Sequence, residues 1–458
     1  MVKHPDFILS KDYHLNGIWE IKDNNCTYTY SGILVLSPKN IRLNLFIDSY
    51  VPEFKNQFWD IIHGKLLTGE HITLVNCYYT GGPNDTRDIL CNYVISGKEY
   101  LDKHSLFFDK IYMEYEEHRA WLLPNSEQIN DRSSDKVIIE KDKDKTIFNF
   151  KINNKLQVSM NYHLQYCLNC FKEADFEEHY YFIITDKNKF TIKDAITKYR
   201  FNWKILLSIF VGKACNIKTV FLDSNNKRFY LYYCDFFYKK EQDLITHWMF
   251  MPYYAIDKYL KKIFYYWFKR IPKQDSYTRE LFFTGFDNFT HPDQESFLAS
   301  IKAIEGLATK LTSDTFLDET QFSNLKDIVK SFLIQQNLNS SKRRSILKKL
   351  ITVNEKKSLT DKVQRFINNK LPINVRKKLK LTDNYVNKIC QVRNTLSHNK
   401  GIHYFYVCKT FDKFIKMNFI LNSILLYYYS LEMGIPKEVI YEGLFERYYL
   451  VRRGLNIK

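Results

Sequence analysis

The sequence predicts an α+β multidomain protein: an antiparallel β sandwich or barrel-like domain first, then a helical extension, then an all-α helical bundle. Three observations predict it. Short β-branched and aromatic runs separated by turn residues fill the first 190 residues. Near Thr191 the apolar pattern lengthens to a helical period. From His291 onward every periodic segment is helical. The domains expected from these shifts are 1–190, β-rich; 191–285, a mixed helix–hairpin–helix extension; and 290–458, the bundle.

The β runs come in order as LNGIWEI from Leu15, TYTYSGILVLS from Thr27, IRLNLFID from Ile41, HITLVNCYYT from His71, LCNYVIS from Leu90 and KIYMEYE from Lys110. KVIIEKD, TIFNFKI, LQVSMNYHL and YYFIITD follow, from Lys136, Thr146, Leu156 and Tyr180. Asn24-Asn25, Pro38-Lys39-Asn40 and the stretch from Gly81 to Asp85 supply turns. Many short strands at this spacing suit a sandwich or barrel. The segment Thr191 to Ala214 reads as a helix, and the next run as a hairpin turning at Asn225-Asn226. Leu244 to Ile271 returns to helix, Pro272 closes it, and PKQDSYTRE reads as a polar hinge.

In the bundle, Phe297, Ile301, Ile304, Ala308 and Leu311 form one apolar stripe. Helical segments follow from Asn324 and from Ser358. TDNYVNKICQVRNTLSH opens on a Thr/Asp cap and repeats apolar residues at Tyr385, Val386, Ile389 and Cys390. The helix from Phe411 is the most apolar, on more than one face, and Gly434 and Pro436 end it.

At 458 residues with 45% hydrophobic and 16% aromatic content, the chain can bury sizeable cores, which excludes general disorder. No signal peptide is read, and the best apolar runs fall short of the roughly 20 residues a bilayer needs. A soluble, cytoplasmic protein with no membrane partner is expected. Nine scattered cysteines do not read as a disulfide framework. The close pair Cys167 and Cys170 could be half a zinc site, with His163, His179, Cys215 or Cys234 completing it. No second such pair exists, so small buried thiols are the favoured reading, and no metal or other cofactor is expected.

The formal charge is +17, and 14 Lys and Arg against two acids fall between Ser341 and Lys380. A phosphate backbone is the obvious partner for so dense a block, because clustered cations release counterions on binding it. Lys342, Arg343 and Arg344 are the candidate RNA contacts.

The segment QVRNTLSHNKG, Gln391 to Gly401, carries the chemistry. At about 100° per residue, Arg393 and His398 lie roughly 140° apart on a straight helix, whereas Asn394 and His398 share a face. Either the arginine and histidine do unrelated work, or the helix bends near Ser397, or one site takes residues from two chains.

RNTLSH within a late bundle helix, one helix before an apolar terminal helix, resembles the HEPN superfamily, whose active members carry Arg, a polar residue, further residues and His. A β-rich half before such a bundle looks like ApeA-type anti-phage defence proteins. FLASIKAIEGL, with Glu305 at the polar position, is similar to the first helix of their bundles. The resemblance implies that Arg393 and His398 are the catalytic pair, Asn394 their polar companion and Glu305 a support. It also implies a metal-independent endoribonuclease acting in abortive infection, with RNA (transfer RNA among the candidates) as substrate. A homodimer would assemble the cleft, and the β-rich region would sense a phage-derived trigger or restrain the nuclease. HEPN proteins that modify a tyrosine carry Tyr two residues after the His; Lys400 stands there, which favours a plain nuclease.

Residue chemistry agrees. Histidine, with an ordinary pKa near 6.5, can move the 2′-hydroxyl proton at neutral pH. Arginine is always charged and can fork two phosphate oxygens. Two rivals remain: a catalytically silent bundle that holds RNA or protein, and an active β region using Glu114, Glu116 and His118, whose spacing fits no reaction.

Overall fold

The computed structural model describes residues 7–23, 26–47, 54–82, 85–122, 144–169, 173–234, 249–270, 276–287, 293–311, 317, 319–336, 338–355, 358–397 and 410–448. Contacts divide the chain into two compact units: 1–211 with 215–247 and 252–261, and 212–214 with 248–251 and 262–458. The sequence-derived domains 1–190, 191–285 and 290–458 stand beside this division as a proposal.

The first unit is β-rich and antiparallel throughout. Strands β1 (Tyr13–Asp23), β2 (Cys26–Leu36) and β3 (Ile41–Phe46) form one meander. Strands β4 (Phe58–Leu66), β5 (His71–Gly81) and β6 (Thr86–Gly97) form a second. β1 pairs with β4 and β3 with β6, so the two meanders close into a barrel. Closure removes both edges, and alternate residues such as Leu34, Leu36, Leu43 and Leu45 fill the interior. Sequence reasoning missed β4, because Asp60, His63 and Lys65 interrupt its apolar run. Its Gly64 lies opposite Trp19 of β1, whose fully buried ring would meet a Cβ there at 2.0 Å. Only glycine gives that ring its seat.

The other half of β6 continues into an open sheet, in the order β6, β12 (Lys227–Tyr233), β11 (Ile217–Ser224), β7 (Phe108–Tyr115), β10 (Glu173–Phe190), β9 (Leu156–Asn169) and β8 (Asp144–Lys151). The β11–β12 hairpin turns at Asn225 and Asn226 with φ of 53° and 63°, the left-handed pair that a two-residue hairpin loop requires. One face of this sheet carries Met113, Met160, Phe182 and Leu222, all fully buried. Trp203 of helix α1 (Phe201–Val211) stacks on Phe182 with ring centroids 3.6 Å apart. The run KVIIEKD lies outside the described residues.

The second unit is helical. It comprises α2 (Ser276–Asp287), α3 (Gln294–Leu311), α4 (Glu319–Gln335), α5 (Ser340–Glu355), α6 (Leu359–Lys370), α7 (Ile373–Lys378), α8 (Asp383–Ser397), α9 (Phe411–Glu432) and α10 (Lys437–Glu442). The hinge reading of PKQDSYTRE is corrected for its second half, since Ser276 opens α2 and its run Phe282, Phe283, Phe286 is buried. Residues 272–275 of that stretch lie outside the described residues.

Helix α3 is central, packing against α2, α6, α8 and α9. Gly285 of α2 lets the two backbones approach, since a Cβ there would meet Ser300 Oγ at 2.1 Å. The stripe Phe297, Ile301, Ile304 and Ala308 is buried. Against α9 the core is polar: Asn418 Nδ2 donates to Ser296 Oγ (3.0 Å), Ser300 Oγ to Asn422 Oδ1 (3.2 Å), and Asn422 Nδ2 to Asn418 Oδ1 (2.8 Å). All four side chains are fully buried and mutually satisfied, which fixes the register of α3 on α9 more narrowly than apolar packing would.

Candidate active site

Thr382 Oγ1 accepts from the Tyr385 amide (3.2 Å) and caps the start of α8, as its sequence predicts. Val386, Ile389, Cys390 and Val392 are buried, so α8 is anchored along one face. That anchoring turns Arg393 toward α3, where the polar position Glu305 meets it. Arg393 Nη2 donates to Glu305 Oε2 at 2.9 Å, and the two side chains are 19% and 33% exposed. Nη1 donates to Asn394 Oδ1 at 3.2 Å. The guanidinium is therefore held from two directions at the rim of the bundle. Nε is buried without a partner among the described residues. Of its five N–H donors, two are engaged, which leaves capacity for a doubly forked anion.

Cys390 sits one helical turn before Arg393. Burial pushes its thiol up; a hydrogen bond with Thr360 of α6 and the charge of Arg393 pull it down, and Glu305 pushes it up again. Three helices thus supply this small neighbourhood: α3, α6 and α8. Cys390 was named in the sequence only as an apolar position, and Thr360 not at all, because neither residue type in isolation signals a site.

His398 follows Ser397, the last residue of α8, and lies outside the described residues. The structure brings together Glu305, Arg393 and Asn394. Lys342, Arg343 and Arg344 lie in the first two turns of α5, which packs against α4, and are apart from that cluster in sequence and element. Asn339 Oδ1 accepts from the Lys342 amide (2.8 Å) and caps this helix. Three cations at the positive end of a helix repel its macrodipole, an arrangement that an anion relieves.

Among the described residues no group of three or more His, Cys, Asp or Glu is placed to hold a metal ion. Cys170 and the Cys167 side chain lie outside the described residues. Of their suggested partners, His163 pairs with Asp144, and His179 Nδ1 donates to Glu114 at 3.1 Å. Cys215 is buried.

The rival residues of the β unit have structural partners. His118 is fully buried; its Nε2 accepts from Trp203 Nε1 (3.0 Å), which leaves Nδ1 to donate to the Tyr180 carbonyl (2.7 Å). Burial holds its pKa down at about 4, against the pull of the Tyr180 carbonyl and Glu114, so the ring is neutral at pH 7. Glu116 accepts from Asn216 Nδ2 (3.2 Å).

Two family models match the chain. That described as ApeA N-terminal domain 1 matches residues 14–267, more than half of the sequence, and that described as Apea-like HEPN matches residues 298–439. The chain belongs to the ApeA-like HEPN proteins. In this ApeA-like protein the first match covers the barrel and open sheet, and the second runs from α3 into α10, with the Glu305–Arg393 pair inside it. No curated relative and no solved structure matches. ApeA-like HEPN domains point to anti-phage defence, and HEPN domains commonly bind RNA and dimerise. No described helix is long and apolar enough to cross a membrane.

Proposed function

We propose that this protein is a metal-independent endoribonuclease that acts in the cytoplasm as a homodimer and defends against phage by abortive infection. The observation that carries this reading is the Glu305–Arg393 ion pair at 2.9 Å, with Asn394 on the same guanidinium, on the helix that ends just before His398. A carboxylate from a neighbouring helix fixes the arginine without exhausting its donors, which suits a group that must meet a phosphate in one orientation.

In the proposed reaction the 2′-oxygen of the substrate attacks the adjacent phosphorus. The 2′-O–P bond forms and the P–5′-O bond breaks. His398 takes the 2′-hydroxyl proton, and a proton is delivered to the leaving 5′-oxygen. Arg393 balances the charge that builds on the non-bridging oxygens. Asn394 orients the guanidinium, and Glu305 is a positioning residue. The products are a 2′,3′-cyclic phosphate and a 5′-hydroxyl. Because Arg393 and His398 diverge on a regular helix, a two-fold pair of chains is the simpler way to make the groups converge. The β-rich unit would sense the infection or restrain cleavage.

The alternative, a silent module that binds RNA or protein, differs in one outcome. RNA ends should be sequenced from cells expressing the wild type and His398→Ala; new 5′-hydroxyl ends in the first alone support the nuclease, and identical end profiles reject it.

A further inference from the structure

The open sheet of the β unit has a second face that the nuclease reading does not use. Register puts Asn161 and His163 of β9, His179, Tyr181 and Ile183 of β10, Tyr112 and Glu114 of β7, Phe221 and Asp223 of β11, and Arg228 and Tyr230 of β12 on it. The opposite face is the apolar one against α1. An antiparallel sheet with one covered face ordinarily shows plain solvated side chains on the other. Here Glu114, His179, Phe221 and Asp223 are buried on it, and His179 and Phe221 line a cavity of about 350 Å³.

We propose that this cavity binds a mononucleotide, with a planar base against the aromatic wall and a phosphate at its basic end. The acids of the face already have partners. Asp144 pairs with His163; Glu114 accepts from His179 (3.1 Å), Thr219 (3.1 Å) and Lys218 (3.4 Å); Asp223 Oδ2 lies 3.9 Å from Lys110 and accepts from Tyr112 (3.4 Å), and Asp223 faces Arg228 across the β11–β12 pair. Arg228, in the lining, has no carboxylate within ion-pair distance among the described residues. Arg228 Cζ lies over Tyr112, 4.4 Å from the ring centre, and 5.7 Å from that of Phe221. That stacking holds the guanidinium with its edge free to fork a phosphate.

The wall beside it is aromatic: Tyr181 meets Phe221 edge-on at 5.6 Å, and Phe221 meets Tyr230 at 4.4 Å. Asn161 Oδ1 is buried in the lining without a hydrogen-bond partner among the described residues, and a base amino group would satisfy it. An inorganic anion would leave the aromatic wall unused, and a neutral sugar would leave the Arg228 guanidinium unused. A nucleotide uses both. The volume is at the lower end of small-ligand pockets and suits one nucleotide, not a strand. This site stands independently of the nuclease reading.

Titration calorimetry on the full chain tests it with AMP, GMP, CMP and UMP, each beside its nucleoside and inorganic phosphate. At least one mononucleotide should bind about tenfold or more tightly than either of its halves. Arg228→Gln should weaken that binding by about tenfold, and Asn161→Ala, whose Oδ1 has no hydrogen-bond partner to lose among the described residues, by a few-fold. Lys65→Ala on the barrel should leave it unchanged. If Arg228→Gln fails to fold, Asn161→Ala alone decides. No preference for any mononucleotide over its halves, or affinity equal to wild type in the folded pocket variants, overturns the proposal.

Discussion

Arg393 is poised by one carboxylate, and its chemistry should depend on that carboxylate in a graded way. Glu305→Gln keeps a hydrogen-bond acceptor for Nη2 but removes the charge; it should lower RNA cleavage by about tenfold, and Glu305→Ala by about a hundredfold. RNA affinity should change little, so single-turnover rates separate positioning from binding. Equal rates in all three proteins would make the pair a fold element only. His118 gives a second residue-scale test. Its folded pKa of about 4 lies below the ordinary 6.5, so the unfolded chain takes up a proton that the folded one refuses as pH falls between those values. The stabilisation is full above pH 6.5 and falls by on the order of 3 kcal/mol on approaching pH 4. His179 has the opposite sign: burial opposes its proton, but Glu114 and Glu177 raise its pKa, so its contribution is full below 6.5 and is lost as pH rises through the folded value. Urea melts between pH 7 and 4.5 should therefore show a decline that His118→Gln flattens. The Glu305–Arg393 contact was legible in the sequence, because Glu305 interrupts an apolar stripe and such a residue seeks a partner. The Glu114–His179 contact was not, since 65 residues separate them and only strand register brings them together.

At the scale of elements, legibility followed periodicity. The helix from Phe411 is buried on nearly every face from Met417 to Ser430, as an apolar run broken only by Asn418, Asn422 and Ser423 implies. The Asn225-Asn226 hairpin was equally plain, because few residues accept two successive positive φ values. Strand β4 was hidden because Asp60, His63 and Lys65 break its apolar run, and its Gly64 is set by a neighbour's ring. Gly64→Ala should destabilise the β unit by about 1–3 kcal/mol, since Trp19 is fully buried and has nowhere to move; an unchanged urea midpoint would show that the barrel yields more easily than its packing suggests. Helix α5 makes a different prediction. Replacing Lys342, Arg343 and Arg344 by Gln should weaken RNA binding and flatten its salt dependence, by about one in the log–log slope for each phosphate that is no longer neutralised. The rate of cleavage of bound RNA should hold. An unchanged slope would reduce the three to a solvated face.

At the scale of the whole molecule, a barrel and open sheet precede a helical bundle, and the family match spans both. The change from strand to helix near Thr191 was legible as a change of period. The closure of the barrel was not, since β3 and β6 meet only through pairing across forty residues of chain. If Arg393 and His398 act across a two-fold axis, mixing Arg393→Ala with His398→Ala chains should restore part of the cleavage, because mixed dimers keep one intact pair. A mixture that stays inactive while still sedimenting as a dimer would require every copy of both residues.

The central claim is cleavage of RNA by this arginine–histidine pair without a metal. The most direct measurement is purified protein with RNA in excess EDTA, followed by mapping of the product ends. Wild type should leave 2′,3′-cyclic phosphate and 5′-hydroxyl ends, and His398→Ala and Arg393→Ala, folded by circular dichroism, should each lose on the order of a hundredfold or more in rate. Cleavage that stops on chelation and returns with a defined metal, or that survives intact in either variant, would contradict the account.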